Sequence, residues 1–285
     1  MATLREIRGR IVSITSTRKI TSAMKMVSSS KLHRAQATLK SVQPYMQALH
    51  HIARRLLPDA DGAPRTVRRA AIVVFASDSA LCGAFNANAI REMQSALAAY
   101  RRQEVEPLLY GVGKKVSDYA RKEGLPLVRH YEKLSGAAGY APLAALADEL
   151  AAMFERGETD CAELIYHRFK SVGTQLPARE PFLPLTPPPA VAHAAAPAVP
   201  ADGYILEPDR RTLAAALVPQ CLRLQLYTAL LHSNASEHAV RMIAMQTATD
   251  NADELVGKLS ISYNKLRQQA VTNELLDIAG GSIKP

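Results

Sequence analysis

The chain has 285 residues, of which 48% are hydrophobic, 21% charged and 5% aromatic, with a formal net charge of +9. This composition excludes a wholly disordered chain and provides enough apolar surface for one or two folded domains. We expect neither a membrane-spanning run of about 20 uninterrupted apolar residues nor a signal or transit sequence at the start. The three cysteines, Cys82, Cys161 and Cys221, lack ligand spacing and favour a reducing compartment over a disulfide framework or zinc site.

All of the excess positive charge lies in residues 1–57. This segment contains eleven Lys and Arg residues and one acid, Glu6, whereas the rest of the chain is nearly neutral. Such a segment is expected to face an acidic or polyanionic partner. Charge alone leaves nucleic acid, an anionic membrane surface and an acidic protein as candidates.

The first long element is a helix predicted over residues 3–57, roughly 80 Å in length at 1.5 Å per residue. Its apolar residues begin with the 3-and-4 spacing of a coiled-coil seam, at Leu4, Ile7, Ile11 and Ile14. The seam is then expected to shift, because the polar residues Arg18 and Thr21 take the next positions. It is expected to resume in a shifted frame at Ile20, Met24 and Val27.

The middle of the chain alternates between strand and helix patterns. Strands are predicted at residues 70–75, 108–110, 125–131 and 162–169, with helices at 86–102, 114–123 and 141–156. This alternation predicts a Rossmann-like α/β domain with a largely parallel sheet. Residues 181–200 contain seven prolines and are predicted to form an extended connection.

A second long helix is predicted over residues 220–279, which contain no proline and only one glycine, Gly257. Gly280 and Gly281 are expected to terminate it. We expect it to pair with the N-terminal helix, in an antiparallel or oblique arrangement. The predicted organisation is therefore a coiled-coil helix over 1–57, a central α/β domain over 68–205, and a coiled-coil helix over 209–285.

Two local motifs are candidate sites of chemistry. The run Gly111-Val-Gly113-Lys114-Lys115 resembles the end of a phosphate loop, but Leu108 replaces the required Gly and Lys115 the required Ser or Thr. A plain strand-to-helix turn is favoured. Cys82 follows a strand, where a nucleophile can lie, and a buried small side chain is the favoured interpretation. The histidines show no metal-ligand spacing, so we expect no metal and no cofactor, and no set of residues amounts to a catalytic constellation.

Two other classes of protein remain as alternatives from the residues themselves. One is a basic coiled-coil nucleic-acid-binding protein, although aromatic stacking platforms and groove-reading motifs are missing from the sequence. The other is an α/β enzyme that uses Cys82. A basic helix inside an acidic protein collar fits the charge pattern at least as well as nucleic acid.

Two long motifs resemble the signature of the gamma subunit of F-type ATP synthases. They are ITSTRKITSAMKMVSSSKLHRAQ at 14–36 and SEHAVRMIAMQTATDNA at 236–252, and the likeness continues over 259–281. The resemblance implies a non-catalytic rotor subunit of the central stalk. It would couple proton-driven rotation of the c ring to the catalytic beta subunits, at the cytoplasmic face of a bacterial inner membrane as a peripheral protein. The implied partners are three alpha and three beta subunits around the coiled coil, the epsilon subunit and the c ring, without nucleic acid.

The same resemblance implies two sets of contact residues. Met24, Lys25, Arg267, Gln268, Thr272 and Glu274 match contacts with the beta subunit. Lys31, Tyr204 and Glu207 match the foot that contacts the c ring. A shaft that turns inside a collar is also expected to avoid apolar patches on its outer face.

The sequence departs from the family pattern in one loop. The family's Ser-Asp-Arg-Gly-Leu-Cys-Gly-Gly-Phe-Asn is replaced here by Ser77-Asp-Ser-Ala-Leu-Cys-Gly-Ala-Phe-Asn86. Two glycines, at positions 80 and 84, have become alanine. Because glycine readily adopts positive φ, their loss is expected to reshape the loop.

Overall fold

The computed structural model describes residues 3–56, 67–134, 139–185 and 206–281. The chain divides into two compact units. One, here called the helical unit, comprises Met1–Ser30 and Arg241–Pro285, and the other, the sheet unit, comprises Lys31–Val240.

The elements follow the predicted order, with long helices at both ends and a mixed α/β arrangement between them. In chain order they are α1 (Leu4–Leu56), β1 (Arg69–Phe75), α2 (Phe85–Arg102), β2 (Glu106–Val112), α3 (Lys114–Lys122), β3 (Leu127–Tyr131), α4 (Tyr140–Glu155), β4 (Cys161–Ser171), β5 (Thr174–Leu183) and α5 (Arg210–Gly281). Helix α1 continues through Pro44, and α5 continues through Pro219. The second helix therefore begins ten residues before the predicted residue 220.

The sheet has five strands in the order β3-β2-β1-β4-β5. The first four are parallel, and β5 pairs with β4 in the antiparallel direction. The sequence did not predict β5, and the expectation of an extended connection from residue 181 is wrong for residues 181–183, which belong to this strand. Two prolines, Pro177 and Pro181, lie within β5, and an edge strand tolerates them because it can leave N–H positions outside the ladder.

Strand β1 is buried on both sides because helices cover both faces of the sheet at its centre. Its residues Ala71, Val73 and Phe75 belong to a core shared with α4 and with the sheet-unit parts of α1 and α5. The alternate residues of β1 belong to a second core, which α2 and α3 complete. This three-layer packing explains why β1 is an uninterrupted apolar run rather than an alternating one.

Part of helix α5 is strongly apolar. Over Arg210–Ala279 it contains an 18-residue window with a mean hydropathy of 1.2, of which 33% is buried, so length and composition alone would allow a membrane span. In the sheet unit, however, Leu222, Leu226 and Leu230 of this helix pack into the core beside the sheet. A helix that buries one face in a protein core can have the same composition.

Candidate functional site on the paired terminal helices

The two terminal helices run antiparallel in the helical unit. Arg18 Nη1 lies 2.7 Å from Asp253 Oδ1, and the hydroxyl oxygens of Thr21 and Thr249 lie 2.8 Å apart. From Arg18 to Thr21 the residue number in α1 rises by three, and the number of the partner in α5 falls by four. The prediction that the two chain ends pair is therefore confirmed, and the antiparallel alternative is the one observed.

The seam between these helices keeps one frame, so the predicted shift after Ile14 is wrong. A heptad series of buried and half-buried positions runs along α1 at 7, 11, 14, 18, 21, 25 and 28, and the positions 15, 22 and 24 beside it are half-buried as well. Positions 245, 249, 252, 256, 259, 263, 266 and 270 of α5 repeat in the same way. The seam therefore passes through polar residues. Of the three apolar residues assigned to a shifted frame, Ile20 and Val27 are 61% and 55% exposed, and Met24 is half-buried beside the seam.

Individual apolar side chains are exposed on the outside of the helical unit, and the expectation of an outer face without apolar patches stays a prediction. Large hydrophobic residues are exposed on both helices, at Val12, Ile20, Met26, Val27, Ile243, Leu255, Ile261, Val271, Leu275, Leu276 and Ile278. Exposed basic residues share the same part of α1, namely Arg5, Arg8, Arg10 and Lys19. The outer face thus carries exposed positive charge together with individual apolar side chains.

Helix α5 continues beyond the first residue of α1. The observed register places Thr3 opposite the region around Arg267, so later residues of α5 have no part of α1 beside them within the described chain. Every residue of 271–279 is exposed, in agreement with this geometry. We call residues 271–279 the α5 overhang.

The predicted beta-contact residues lie in two places in the helical unit. Arg267, Gln268, Thr272 and Glu274 are exposed at and beyond the last seam layers, and Thr272 donates its hydroxyl proton to the Gln268 carbonyl oxygen at 2.8 Å. Met24 and Lys25 are half-buried at the other end of the paired region. The structure does not bring these two groups together.

The predicted c-ring residues belong to the sheet unit. Lys31 and Glu207 are exposed there. Tyr204 lies outside the described residues.

Cys82 is too deeply buried to act as the nucleophile of an α/β enzyme. It is only 2% exposed. Its sulfur lies 3.6 Å from the Ser77 hydroxyl oxygen and 3.1 Å from Asn86 Nδ2. In this loop the residues with positive φ are Leu81 and Gly83. Ala84, which replaces a glycine of the family pattern, has a φ of −84°. Alanine at position 84 therefore fits without the strain expected from the loss of glycine.

A carboxylate at the turn before α3 fills the place that a phosphate would need. Asp78 Oδ1 accepts a hydrogen bond from the Lys114 backbone N–H at 3.0 Å, and its Oδ2 accepts one from the Lys133 N–H at 2.9 Å. Gly113 donates its own N–H to the Tyr131 carbonyl oxygen. A Cβ at Gly113 would lie 2.1 Å from the Ala76 carbonyl oxygen, so the glycine serves close packing between strand ends. These contacts agree with a structural turn.

Several titratable groups in the sheet unit are buried. Burial lowers the pKa of His167 to about 4 and, together with nearby Arg168, lowers that of His232 to about 4. Burial raises the pKa of Cys221 to about 11, and its sulfur lies 3.6 Å from His50 Nδ1. Among the described residues, no group of three or more His, Cys, Asp or Glu side chains has the arrangement of a metal site.

The sequence missed three residues that organise these regions, namely Asp253, Thr249 and Asp78. A signal existed for two of them, because Arg18 and Thr21 interrupt one apolar seam and an antiparallel partner must meet such residues with polar groups. Asp78 could not be identified in this way, since its two partners are backbone amides 36 and 55 positions away.

Comparison with solved structures identifies the class of fold. The chain resembles a chain of the Euglena gracilis mitochondrial ATP synthase (OSCP/F1/c-ring, rotational state 3) with a TM-score of 0.67 and 18% identity, over 98% of this chain and 93% of that one. It also resembles a chain of the Tetrahymena thermophila mitochondrial ATP synthase central stalk and c ring, with a TM-score of 0.60 and 23% identity, over 80% of this chain and 99% of that one. At these identities the likeness establishes the fold.

Sequence comparison then gives the family. The ATP synthase family profile matches residues 3–283. An ATP synthase gamma chain of Phocaeicola vulgatus is 45% identical over 291 residues, which cover 99% of this chain and 100% of the relative. Gamma chains of Bacteroides fragilis and Flavobacterium johnsoniae are 46% and 39% identical, again over 99% of this chain, and over 100% and 98% of the relatives. The chain belongs to the ATP synthase gamma-chain family.

Proposed function

We propose that this chain is the central-stalk rotor subunit of an F-type ATP synthase. In this role it couples proton-driven rotation of the c ring to the conformational cycle of the catalytic beta subunits. The observation that carries the proposal is the 45% identity to a gamma chain over 99% of this sequence, because an alignment of that extent includes both terminal helices. None of the relatives described above favours nucleic-acid binding.

The paired helices have the physical properties that a shaft needs. Helices of 53 and 72 residues supply length without interruption. Antiparallel pairing resists bending better than a single helix does, because a seam joins the two along the paired region. The outer face carries exposed positive charge, which suits a surrounding collar of three alpha and three beta subunits with acidic loops. Exposed ion pairs are worth only about 0–1 kcal/mol each, so such contacts can form and break in every turn.

The contact residues follow from the family resemblance and from exposure. Arg267, Gln268, Thr272 and Glu274 contact the beta subunit in this proposal, and all four are accessible to a partner. Met24 and Lys25 form a second contact zone with the same subunit. Lys31, Tyr204 and Glu207 form the foot on the c ring, beside the epsilon subunit.

The chain has no catalytic residue in this proposal, since nucleotide chemistry belongs to the beta subunit. The burial of Cys82 supports this assignment. Attachment to the membrane is indirect, through the c ring, at the cytoplasmic face of the bacterial inner membrane.

Reconstitution tests the proposal. The full-length chain is mixed with alpha and beta subunits of the same organism, and ATP hydrolysis is measured for each component and for the purified complex. We expect no hydrolysis by the chain alone and a chain-dependent, rotating complex when all three are present. Tighter binding to generic duplex DNA than to the alpha and beta subunits would overturn the assignment in favour of the nucleic-acid alternative.

A further inference from the structure

Strand β4 extends further than its neighbour β1. The ladder between the two strands covers residues 161–165 of β4, whereas β4 continues to Ser171 beside the antiparallel β5. Residues 166–171 therefore have a strand on one side only within the described part of the chain. We call their other side the free edge of β4. Its backbone groups need partners that β1 does not supply.

His167 and Phe169 turn their backbone groups towards the free edge of β4. In an antiparallel pair, alternate residues point their N–H and C=O groups away from the partner strand. Pro177 of β5 lies opposite His167 and has no N–H to donate, which agrees with this alternation. The His167 carbonyl oxygen and the Phe169 N–H are thus two residues apart on one edge, a spacing of about 6.5 Å.

Helix α5 supplies both partners from one of its faces. The Ser236 hydroxyl donates to the His167 carbonyl oxygen at 3.1 Å, and the Phe169 N–H donates to His232 Nδ1 at 3.3 Å. Residues four apart on a helix share a face and are about 6 Å apart along its axis, which matches the spacing of the two groups on β4. One donor and one acceptor on α5 thus meet one acceptor and one donor on the strand.

The surroundings of these two bonds favour pairing with α5 over pairing with water. Ser236 and His167 are both buried, so a carbonyl group that lost the Ser236 hydroxyl would be left without a partner. His232 accepts at Nδ1, which places its ring proton on Nε2. Burial and nearby Arg168 lower the pKa of His232 to about 4, so the ring is neutral and Nδ1 can accept a hydrogen bond at neutral pH.

We propose that His232 and Ser236 attach α5 to the free edge of β4 in place of a neighbouring strand. They are positioning residues, because they act through the backbone of β4 on the part of α5 that ends the sheet unit at Val240. This attachment does not depend on what the chain does. One consequence rests on the proposed rotor function: force that passes between α5 and the sheet is carried by these bonds together with the apolar core.

Amide hydrogen exchange in the full-length chain, resolved by NMR, tests the attachment. In His232→Leu we expect the Phe169 amide to exchange at least about tenfold faster, because it loses its acceptor. The amides of residues 166 and 168 face β5 and should change less than about twofold. His232→Asn should return the Phe169 rate to within about threefold of the parent, because its Oδ1 can accept where Nδ1 did. Equal acceleration at residues 166, 168 and 169 would indicate a general loss of stability and would overturn the inference.

The two bonds should act together. Ser236→Ala should also speed exchange of the Phe169 amide, by at least about threefold, although Ser236 is not its partner. Thr228→Val is the matched control and should leave this rate unchanged, since the Thr228 hydroxyl donates within α5, to the Leu224 carbonyl oxygen. The ring nitrogen shifts of His232 in the parent should show the Nε2–H tautomer. An Nδ1–H tautomer, or a Phe169 rate that neither His232→Leu nor Ser236→Ala changes, would overturn the attachment.

Proton pumping by the complete ATP synthase tests the consequence for the rotor. The chain is assembled with the other subunits of the same organism in vesicles, and the protons pumped per ATP hydrolysed are measured against a proton gradient. We expect the double variant His232→Leu with Ser236→Ala to lower this ratio at least about twofold, and Thr228→Val to keep it. Equal ratios in the double variant and the parent would remove the force-carrying role. A parent chain that supports no pumping would instead overturn the proposed function, and the exchange rates would still decide the attachment.

Discussion

The imidazole ring of His167 on β4 stacks on the phenyl ring of Phe85 at the start of α2, with ring centroids 4.3 Å apart and planes 29° from parallel. The His167 side chain is only 2% exposed, and neither ring nitrogen has a hydrogen-bond partner among the described protein groups. An imidazole in this environment is stable only in its neutral form, because a buried positive charge would have neither water nor an acceptor.

Because His167 is buried in its neutral form, we expect the free energy of unfolding to fall at acid pH. The pKa of His167 falls from 6.5 to about 4 on folding, so between these pH values the unfolded chain binds a proton that the folded chain does not. The stabilising contribution is therefore complete above pH 6.5 and is lost as the pH falls towards 4, by up to about 3 kcal/mol. His167→Leu should reduce the loss of unfolding free energy between pH 7 and pH 5 by about 2 kcal/mol, measured by urea denaturation at both values. The exposed His33→Gln serves as the control, and an equal pH slope in His167→Leu and the parent would contradict the prediction.

The Asp78 carboxylate should matter more for stability than its position in an exposed turn suggests. Asp78→Ala removes the acceptor for two backbone N–H groups, those of Lys114 and Lys133. We expect a loss of about 1–3 kcal/mol in the free energy of unfolding. Asp118→Ala on α3, the helix that begins with Lys114, is the matched control, because the Asp118 carboxylate makes only long ion pairs of 3.7 and 3.9 Å and should cost less than about 1 kcal/mol. Similar losses in the two variants would show that the Asp78 bonds have no special weight.

Arg267 and Gln268 should affect coupling rather than folding. Both side chains are exposed, so Arg267→Ala and Gln268→Ala should each change the free energy of unfolding by less than about 0.5 kcal/mol. In a reconstituted complex, the same variants should lower rotation-coupled ATP turnover several-fold if they contact the beta subunit. Asn264→Ala, one turn earlier and also exposed, controls for a general effect of truncation on this helix. Turnover equal to that of Asn264→Ala would remove the contact role.

Local patterns predicted most elements, whereas long-range relationships were the ones missed. The lengths of α1 and α5 and the alternation of strands and helices followed from periodicity, because each element buries a continuous apolar face. The frame of the seam did not, because Ile20 and Val27 are apolar yet point outwards, and the sequence does not reveal which face a partner helix covers. Strand β5 was hidden by Pro177 and Pro181, which are compatible with a strand only because it lies at the edge of the sheet. The contact residues of the helical unit came from family resemblance rather than from physical pattern, and they stay predictions.

The α5 overhang predicts that the end of the chain is dispensable for folding. Because all of residues 271–279 are exposed, a chain that ends at residue 271 should retain the parent's free energy of unfolding within about 0.5 kcal/mol. A chain that ends at Gly257 is the matched control, since it also removes the seam residues Leu259, Tyr263 and Leu266. In this shorter chain, the amide protons of residues 7–14 should exchange at least about tenfold faster, because the facing part of α5 is gone. Urea denaturation measures the free energy of unfolding, and hydrogen exchange followed by mass spectrometry measures the exchange of residues 7–14 in both chains. Faster exchange of residues 7–14 in the chain that ends at 271 would mean that the overhang supports the paired helices, contrary to the exposure of its side chains.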